Sequence, residues 1–224
     1  MIAKERVYTE LKKTVEGENY LESFNSMYVS GLLLVIFGPM QFALSPQWEE
    51  FKIDFNNIDE RSIESFFTLI TIYELRPLKP NVRIEKMKEL VSFYKTLKLP
   101  SKTVKDIHNI TMLYFEFGLH NLIPSIRVFE SKHNSLFFKL LNHLGKKSEF
   151  TKIRNIYQNN LDSFSNLVKP YVNGRDCLAL EVEPFDIGKV LDVVYEKQLL
   201  GLIIDKQESL SFVKNLKAQY DSSS

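Results

Sequence analysis

Apolar residues recur at spacings of three and four along most of the first 172 residues, which is the period of one helical face. The first segment is typical, because Val7, Leu11 and Val15 are spaced by four between charged residues. Gly or Pro residues separate several such segments and indicate helix ends. The predicted helices are 3–16, 20–37, 63–73, 82–97, 104–117, 119–131, 135–144, 150–157 and 161–172. Helices of this number joined by short loops favour a stacked helical-repeat, solenoid-like region.

The pattern changes after Asn173-Gly174. Residues 177–182 fit a short strand or tight turn, and Pro184 stands where the first turn of a helix over 185–199 would begin. Two short apolar runs follow, Leu200–Ile204 and Ser209–Val213, and the polar residues between them predict a β-hairpin. A final helical turn is predicted over 214–220.

This order of helix, short strand, helix and hairpin is that of a winged helix. The predicted fold is therefore mostly α, with a helical-repeat region over 1–160, a winged-helix module over 161–213 and a C-terminal tail over 214–224.

One segment, Ser23–Trp48, contains no charged residue and raises the question of a membrane span. A spanning helix needs about 20 predominantly apolar residues. Polar residues near one end and Gly38-Pro39 near the other leave too short an apolar run. A buried helix is therefore preferred to a membrane segment, and no membrane partner is expected.

Composition is that of an ordinary globular protein, with 44% hydrophobic and 25% charged residues and a net charge of +1. Cys177 is the sole cysteine, so no disulfide can form within the chain, which suits a reducing compartment. We predict a cytoplasmic or nuclear location.

No catalytic, cofactor-binding or metal-binding residue is predicted. The four histidines (His108, His120, His133 and His143) lack metal-ligand spacing, and neither a phosphate loop nor a nucleophile elbow is present. Cys177 follows Asp176, whose charge would raise a thiol pKa, so a buried structural cysteine is favoured over a nucleophile. Two adjacent acidic pairs, Glu49-Glu50 and Asp59-Glu60, are interpreted as solvated surface.

Charge is distributed unevenly along the chain. Residues 101–174 carry a net charge of +5, whereas residues 175–224 carry six basic and nine acidic residues, a net charge of −3. A DNA-reading helix needs net positive contacts with phosphates, so DNA binding by the predicted winged helix is not expected. The basic region, which includes Lys146, Lys147, Lys152 and Arg154, leaves open an acidic partner or RNA.

The run Glu183–Asp205 resembles the end of a PCI domain, a family that joins helical repeats to a winged helix. Gly201, Ile204 and Asp205 match the family's Gly-x-Ile-Asp-like strand, and Leu210 with Phe212 would form the return strand. Such domains occur in the proteasome regulatory lid, the signalosome and translation initiation factor three. In size and order of elements, the chain is most similar to a small lid subunit.

The resemblance implies a non-catalytic scaffold subunit that packs against other PCI-type subunits through its winged helix. Leu202, Ile204, Leu210 and Phe212 are the candidate core or interface anchors, since an apolar strand at an open sheet edge can accept a neighbour's strand. The alternatives are a helical nucleic-acid-associated protein that uses residues 101–174, and an enzyme whose site is assembled from scattered residues.

Overall fold

A computed structural model describes residues 4–38, 40, 47–58, 61–130, 135–162 and 167–221. Most of these residues are helical, and their β pairing is limited to an antiparallel bridge between Leu161 and Leu167. The helices are α1 (Lys4–Glu16), α2 (Tyr20–Val29), α3 (Leu32–Phe37), α4 (Gln47–Asn56), α5 (Ile63–Leu75), α6 (Pro80–Thr96), α7 (Ser101–Glu116), α8 (Leu122–Glu130), α9 (Ser135–His143), α10 (Lys147–Asn159), α11 (Gly174–Ala179), α12 (Ile187–Leu199) and α13 (Lys206–Asp221). The mostly α class is confirmed, whereas the stacked-repeat and winged-helix arrangement is not.

The chain separates into two compact units. Unit 1 comprises Met1–Glu116 and Asn134–Lys147, and unit 2 comprises Phe117–His133 and Ser148–Ser224. Both units therefore contain two stretches of chain. The predicted boundaries at residues 160 and 213 stay predictions.

Helix α5 is the centre of unit 1. Ser62 caps its start, because the Ser62 hydroxyl accepts a hydrogen bond from the Ser65 amide at 3.1 Å and the Ser65 hydroxyl accepts one from the Ser62 amide at 2.9 Å. Apart from Glu64, every residue of α5 is buried, as expected of a helix that is apolar on most of its surface. It packs against α1, α4, α6 and α7.

An aromatic cluster around Phe66 fills the core of unit 1. The ring of Phe24 stacks on that of Phe66 with centroids 4.9 Å apart, and Phe51 and Phe55 meet Phe66 edge-on at 5.7 and 5.6 Å. Such pairs add about 0.5–1.5 kcal/mol each beyond the apolar area that they bury. Phe51 and Phe55 belong to α4, a helix that the sequence reading did not predict.

The predicted helix over 20–37 is interrupted at Gly31, whose φ of +71° is in the left-handed region. Phe24, Leu33 and Phe37 are buried on its inner side, but Val29 is 85% and Val35 79% exposed. The prediction of a buried helix is therefore confirmed for one side only, because the other side of α2 and α3 does not meet the core. Among the described helices, none is long and apolar enough to cross a bilayer.

Unit 2 has a small apolar core of its own beneath α11, α12 and α13. It is formed by Val172, Cys177, Val182, Val190, Val194, Ile203 and Val213. Residues 174–179 form α11, capped by Asn173, so the strand or turn predicted over 177–182 is wrong over its first three residues. The helix predicted over 161–172 is also wrong where it is described, since residues 167–172 are not helical; residues 163–166 lie outside the described residues.

The predicted β-hairpin is wrong. Ser209–Val213 lies inside α13, and Leu200–Ile204 is a turn without β pairing. The alternation of Leu210 and Phe212 suggested a strand, but Ser209, Val213 and Leu216 also fall on one helical face and meet the core. The predicted final turn over 214–220 is the continuation of the same helix.

Candidate interaction surface

The turn between α12 and α13 begins with a glycine-based helix end. Gly201 has a φ of +70°, and its amide donates to the Gln198 carbonyl at 2.9 Å. The Leu202 amide donates to the Lys197 carbonyl, also at 2.9 Å. These two bonds form a Schellman motif, which closes a helix with a left-handed residue that glycine adopts without steric cost.

The turn ends with a capped helix start. The Asp205 carboxylate accepts a hydrogen bond from the Glu208 amide at 2.8 Å, and the Glu208 carboxylate accepts one from the Ile204 amide at 2.9 Å. Each side chain therefore satisfies a backbone donor at the beginning of α13, in a close variant of the capping box. This pair explains why residues 206–213 are helical rather than extended.

Fixed at both ends, the turn presents two large apolar side chains to solvent. Leu202 is 63% and Ile204 66% exposed, while Ile203 between them is only 5% exposed and packs into the core of unit 2. Leu200, at 40%, adds to the exposed apolar surface. Buried Ile203 thus anchors the turn on which its exposed neighbours stand.

The four predicted anchors divide into two pairs. Leu202 and Ile204 are exposed, whereas Leu210 and Phe212 are half-buried and pack against the core of unit 2. Leu202 and Phe212 nevertheless meet in one open groove of about 560 Å³ between the turn and α13. Its lining residues are Leu202, Ile203, Asp205, Gln207, Glu208, Ser211, Phe212 and Asn215. We call this the α13 groove.

Other exposed apolar residues were not predicted. In unit 2, Phe185 is 75% and Leu178 53% exposed. In unit 1, a larger groove of about 1400 Å³ is lined by residues of α1, α2, α3 and α6, with Val35 among them. Helical periodicity could not reveal these surfaces, since it gives the apolar positions but not how far the fold covers them.

The candidate chemical residues are placed as follows. Cys177 is buried, and burial raises the pKa of its thiol, with the Asp176 carboxylate acting in the same direction. His133, Asp59 and Glu60 lie outside the described residues, and Glu49 and Glu50 are exposed. Over the described ranges, no cluster of three or more His, Cys, Asp or Glu side chains could hold a metal ion.

The basic residues singled out from the sequence lie at or near α10. Lys147, Lys152 and Arg154 are exposed, while the Lys146 ammonium lies 5.1 Å from the centre of the Tyr114 ring. Tyr157, on the same helix, stacks on Phe129 with centroids 5.1 Å apart. That ring face is therefore already engaged within unit 2.

Comparison of the chain with family models, curated proteins and solved structures gives no match.

Proposed function

We propose that this protein is a non-catalytic assembly subunit that joins a multi-subunit complex through the turn between α12 and α13. The observation that carries the proposal is the exposure of Leu202 and Ile204, at 63% and 66%, on a turn held by a helix end and a helix cap. Burying such side chains against a partner is favourable by about 25 cal/mol per Å² of apolar surface. The fixed turn also reduces the entropy lost on binding.

The resemblance of Glu183–Asp205 to the end of a PCI domain supplies the candidate complex. We infer a subunit of the proteasome regulatory lid as the first candidate, with a signalosome-type or translation-initiation-type complex as alternatives. A cytoplasmic or nuclear location goes with each of these. This run comprises residues 183–186, α12 and the turn that follows it.

The proposed mode of contact differs from that of a winged helix. A PCI subunit would offer a sheet edge to its neighbour, but here residues 206–221 are the helix α13. We therefore propose that a neighbour packs its side chains on the turn and on α13, rather than adding a strand. The proposal also retains the stacked helical repeats predicted over residues 1–160.

The test is isolation of the tagged full chain from its native source, followed by native size analysis and mass-spectrometric identification of partners. We expect a large complex that contains PCI-type subunits. Leu202→Glu/Ile204→Glu should release the chain from this complex, because two carboxylates would enter an apolar contact. Lys105→Glu is the matched control, since it lowers the net charge by the same two units at an exposed position on α7, outside the turn and α13.

Two results would contradict the proposal. One is recovery of the wild-type chain alone, at its own mass of 26.2 kDa. The other is an unchanged partner list for Leu202→Glu/Ile204→Glu once circular dichroism has shown that this variant is folded.

Nucleic-acid association is the second candidate function, because Lys147, Lys152 and Arg154 are exposed basic residues. Binding of the purified chain to RNA and to DNA should weaken when these three residues are changed to Glu. Absence of binding by the wild type would remove this candidate.

A further inference from the structure

We propose that the α13 groove binds a short amphipathic helix of a partner protein. The apolar face of that helix would lie on Leu202 and Phe212, and its lysine or arginine side chains would face Asp205 and Glu208. This inference rests on the proposed function and deepens it, since it specifies the chemistry of the partner at the same surface.

The shape of the α13 groove suits a helix. Along α13 it follows Glu208, Ser211, Phe212 and Asn215, which are spaced by three, one and three residues and so lie along one side of the helix. Seven residues of helix rise about 10 Å, or roughly two turns. A partner helix of two or three turns could therefore lie alongside α13 with one or two apolar side chains over Phe212.

The charge of the α13 groove indicates which helix it accepts. Asp205 and Glu208 are the charged residues among those lining it, and both are acidic and exposed. No ion pair recorded for the described part of the chain includes either carboxylate. Other carboxylates of unit 2 are paired. Asp176 pairs with Lys206 at 2.9 Å, Glu181 with Lys217 at 2.9 Å and Asp186 with Lys189 at 3.3 Å.

The negative charge of the α13 groove is thus not neutralised within unit 2, and residues 175–224 carry a net charge of −3. A partner cation would meet two full carboxylate charges here. The start of α13 contributes an opposing charge of about half a unit, which two carboxylates outweigh. Complementarity of this kind favours a basic partner over an acidic one.

Both carboxylates are already held in place. One oxygen of Asp205 accepts from the Glu208 amide, and one oxygen of Glu208 accepts from the Ile204 amide. The second oxygen of each can accept from a partner cation while the cap remains intact. Because the side chains are fixed before binding, little entropy is lost when the partner arrives.

The geometry allows the charge to be removed without removing the cap. Asp205→Asn/Glu208→Gln keeps an acceptor oxygen at both positions, and Asn and Gln serve in helix caps as Asp and Glu do. Glu183→Gln/Asp192→Asn is the matched control. It removes two exposed carboxylates of unit 2 that do not line the α13 groove.

The probes are three fluorescently labelled synthetic peptides, and the protein is the full chain. The first peptide is a helix with leucines on one face and lysines on the other, and the second has glutamates in place of the lysines. The third has the composition of the first in an order that destroys the apolar face. Binding is followed by fluorescence anisotropy at two salt concentrations.

We expect the ordered lysine peptide to bind the wild type more tightly than either other peptide, and more weakly as salt rises. Asp205→Asn/Glu208→Gln should lower its affinity on the order of tenfold at low salt, the effect of two exposed charge pairs. Glu183→Gln/Asp192→Asn should bind like the wild type. Leu202→Ser should also weaken binding, because it removes the apolar anchor.

The inference is overturned if the lysine peptide does not bind, if the glutamate or reordered peptide binds equally well, or if both charge variants lose affinity equally. These outcomes are separable from failure of the proposed function. A chain that copurifies with its complex but fails the peptide test keeps its role as a subunit and loses the basic-helix partner. A chain that binds the peptide but is isolated alone keeps the basic-helix partner and loses its role as a subunit.

Discussion

The side-chain carbonyl of Gln198 accepts a hydrogen bond from the backbone amide of Tyr171 at 3.0 Å. The same side chain donates to the Lys169 carbonyl at 2.9 Å, and Gln198 is only 5% exposed. Close by, the Tyr195 hydroxyl donates to the Val168 carbonyl at 2.7 Å. Helix α12 therefore satisfies backbone groups of residues 168–171, a segment that is not helical.

Gln198→Leu should lower the free energy of unfolding by about 1–3 kcal/mol, because it leaves the Tyr171 amide and the Lys169 carbonyl without their partner. Urea unfolding followed by circular dichroism measures the loss. Gln207→Leu, at an exposed position, is the control and should change the stability by less than about 0.5 kcal/mol. Equal effects at the two positions would show that the Gln198 contacts contribute nothing.

Asp205→Ala should cost about 1 kcal/mol, while Asp205→Asn should be close to neutral, since Asn retains the acceptor at the start of α13. Amide hydrogen exchange at Glu208 and Ser209 should accelerate in the alanine variant alone. A cross-strand pattern of amide protection over residues 200–213 would instead indicate the predicted β-hairpin and contradict α13.

Phe66→Ala should destabilise the protein by about 3–5 kcal/mol, because a fully buried ring in contact with Phe24, Phe51 and Phe55 leaves a cavity. Phe66→Leu, which keeps most of the volume, should cost less than about 1.5 kcal/mol and remain folded. Val35→Ala, at a position that is 79% exposed, is the control. Guanidinium unfolding measures all three variants, and a small loss for Phe66→Ala would contradict the aromatic core.

Lys206→Gln should raise the pKa of the Asp176 carboxyl, which is held below its ordinary value first by the hydrogen bond from Lys206 and then by the Asn173 amide. A lowered folded-state pKa stabilises the protein above the unfolded pKa, and this contribution is lost as pH falls through the folded pKa. Lys206→Gln should therefore flatten the stability profile on the acid side. An NMR titration of Asp176 gives the shift directly, and Lys214→Gln should leave it unchanged.

The helices that could be predicted from the sequence are those with a regular apolar face. The helix predicted over 82–97 corresponds to α6, and that over 104–117 to α7. Helix α4 was missed although Trp48, Phe51 and Phe55 have helical spacing and are buried. The signal of this helix is obscured because the uncharged segment Ser23–Trp48 leads directly into it.

The predicted β-hairpin is wrong because the capping residues of α13 outweigh the apolar alternation of the segment. Leu210 and Phe212 alternate as a strand would, but Asp205 and Glu208 stand at the spacing that caps a helix, and Gly201 at the position that ends one. The sequence therefore contains the signals that end α12 and begin α13.

The candidate surface could be predicted only in part. Leu202 and Ile204 were identified because they are apolar and close to a turn, and both are exposed. The inward orientation of Leu210 and the meeting of Leu202 with Phe212 depend on how α13 packs on α12. That packing is a tertiary relationship that the periodicity of either helix alone does not determine.

The division of each unit into two stretches of chain has a consequence for biosynthesis. A nascent chain that ends at residue 133 lacks α9, whose Phe137, Leu140 and Leu141 are fully buried in unit 1. Unit 1 is therefore incomplete until residues 134–147 have emerged from the ribosome, and α8 of unit 2 is translated before them. At about 5–20 residues per second, residues 117–147 take roughly 2–6 s to make. During that interval the site for α9 on α7 is uncovered, and it is there that a chaperone bound to the nascent chain would have its apolar target.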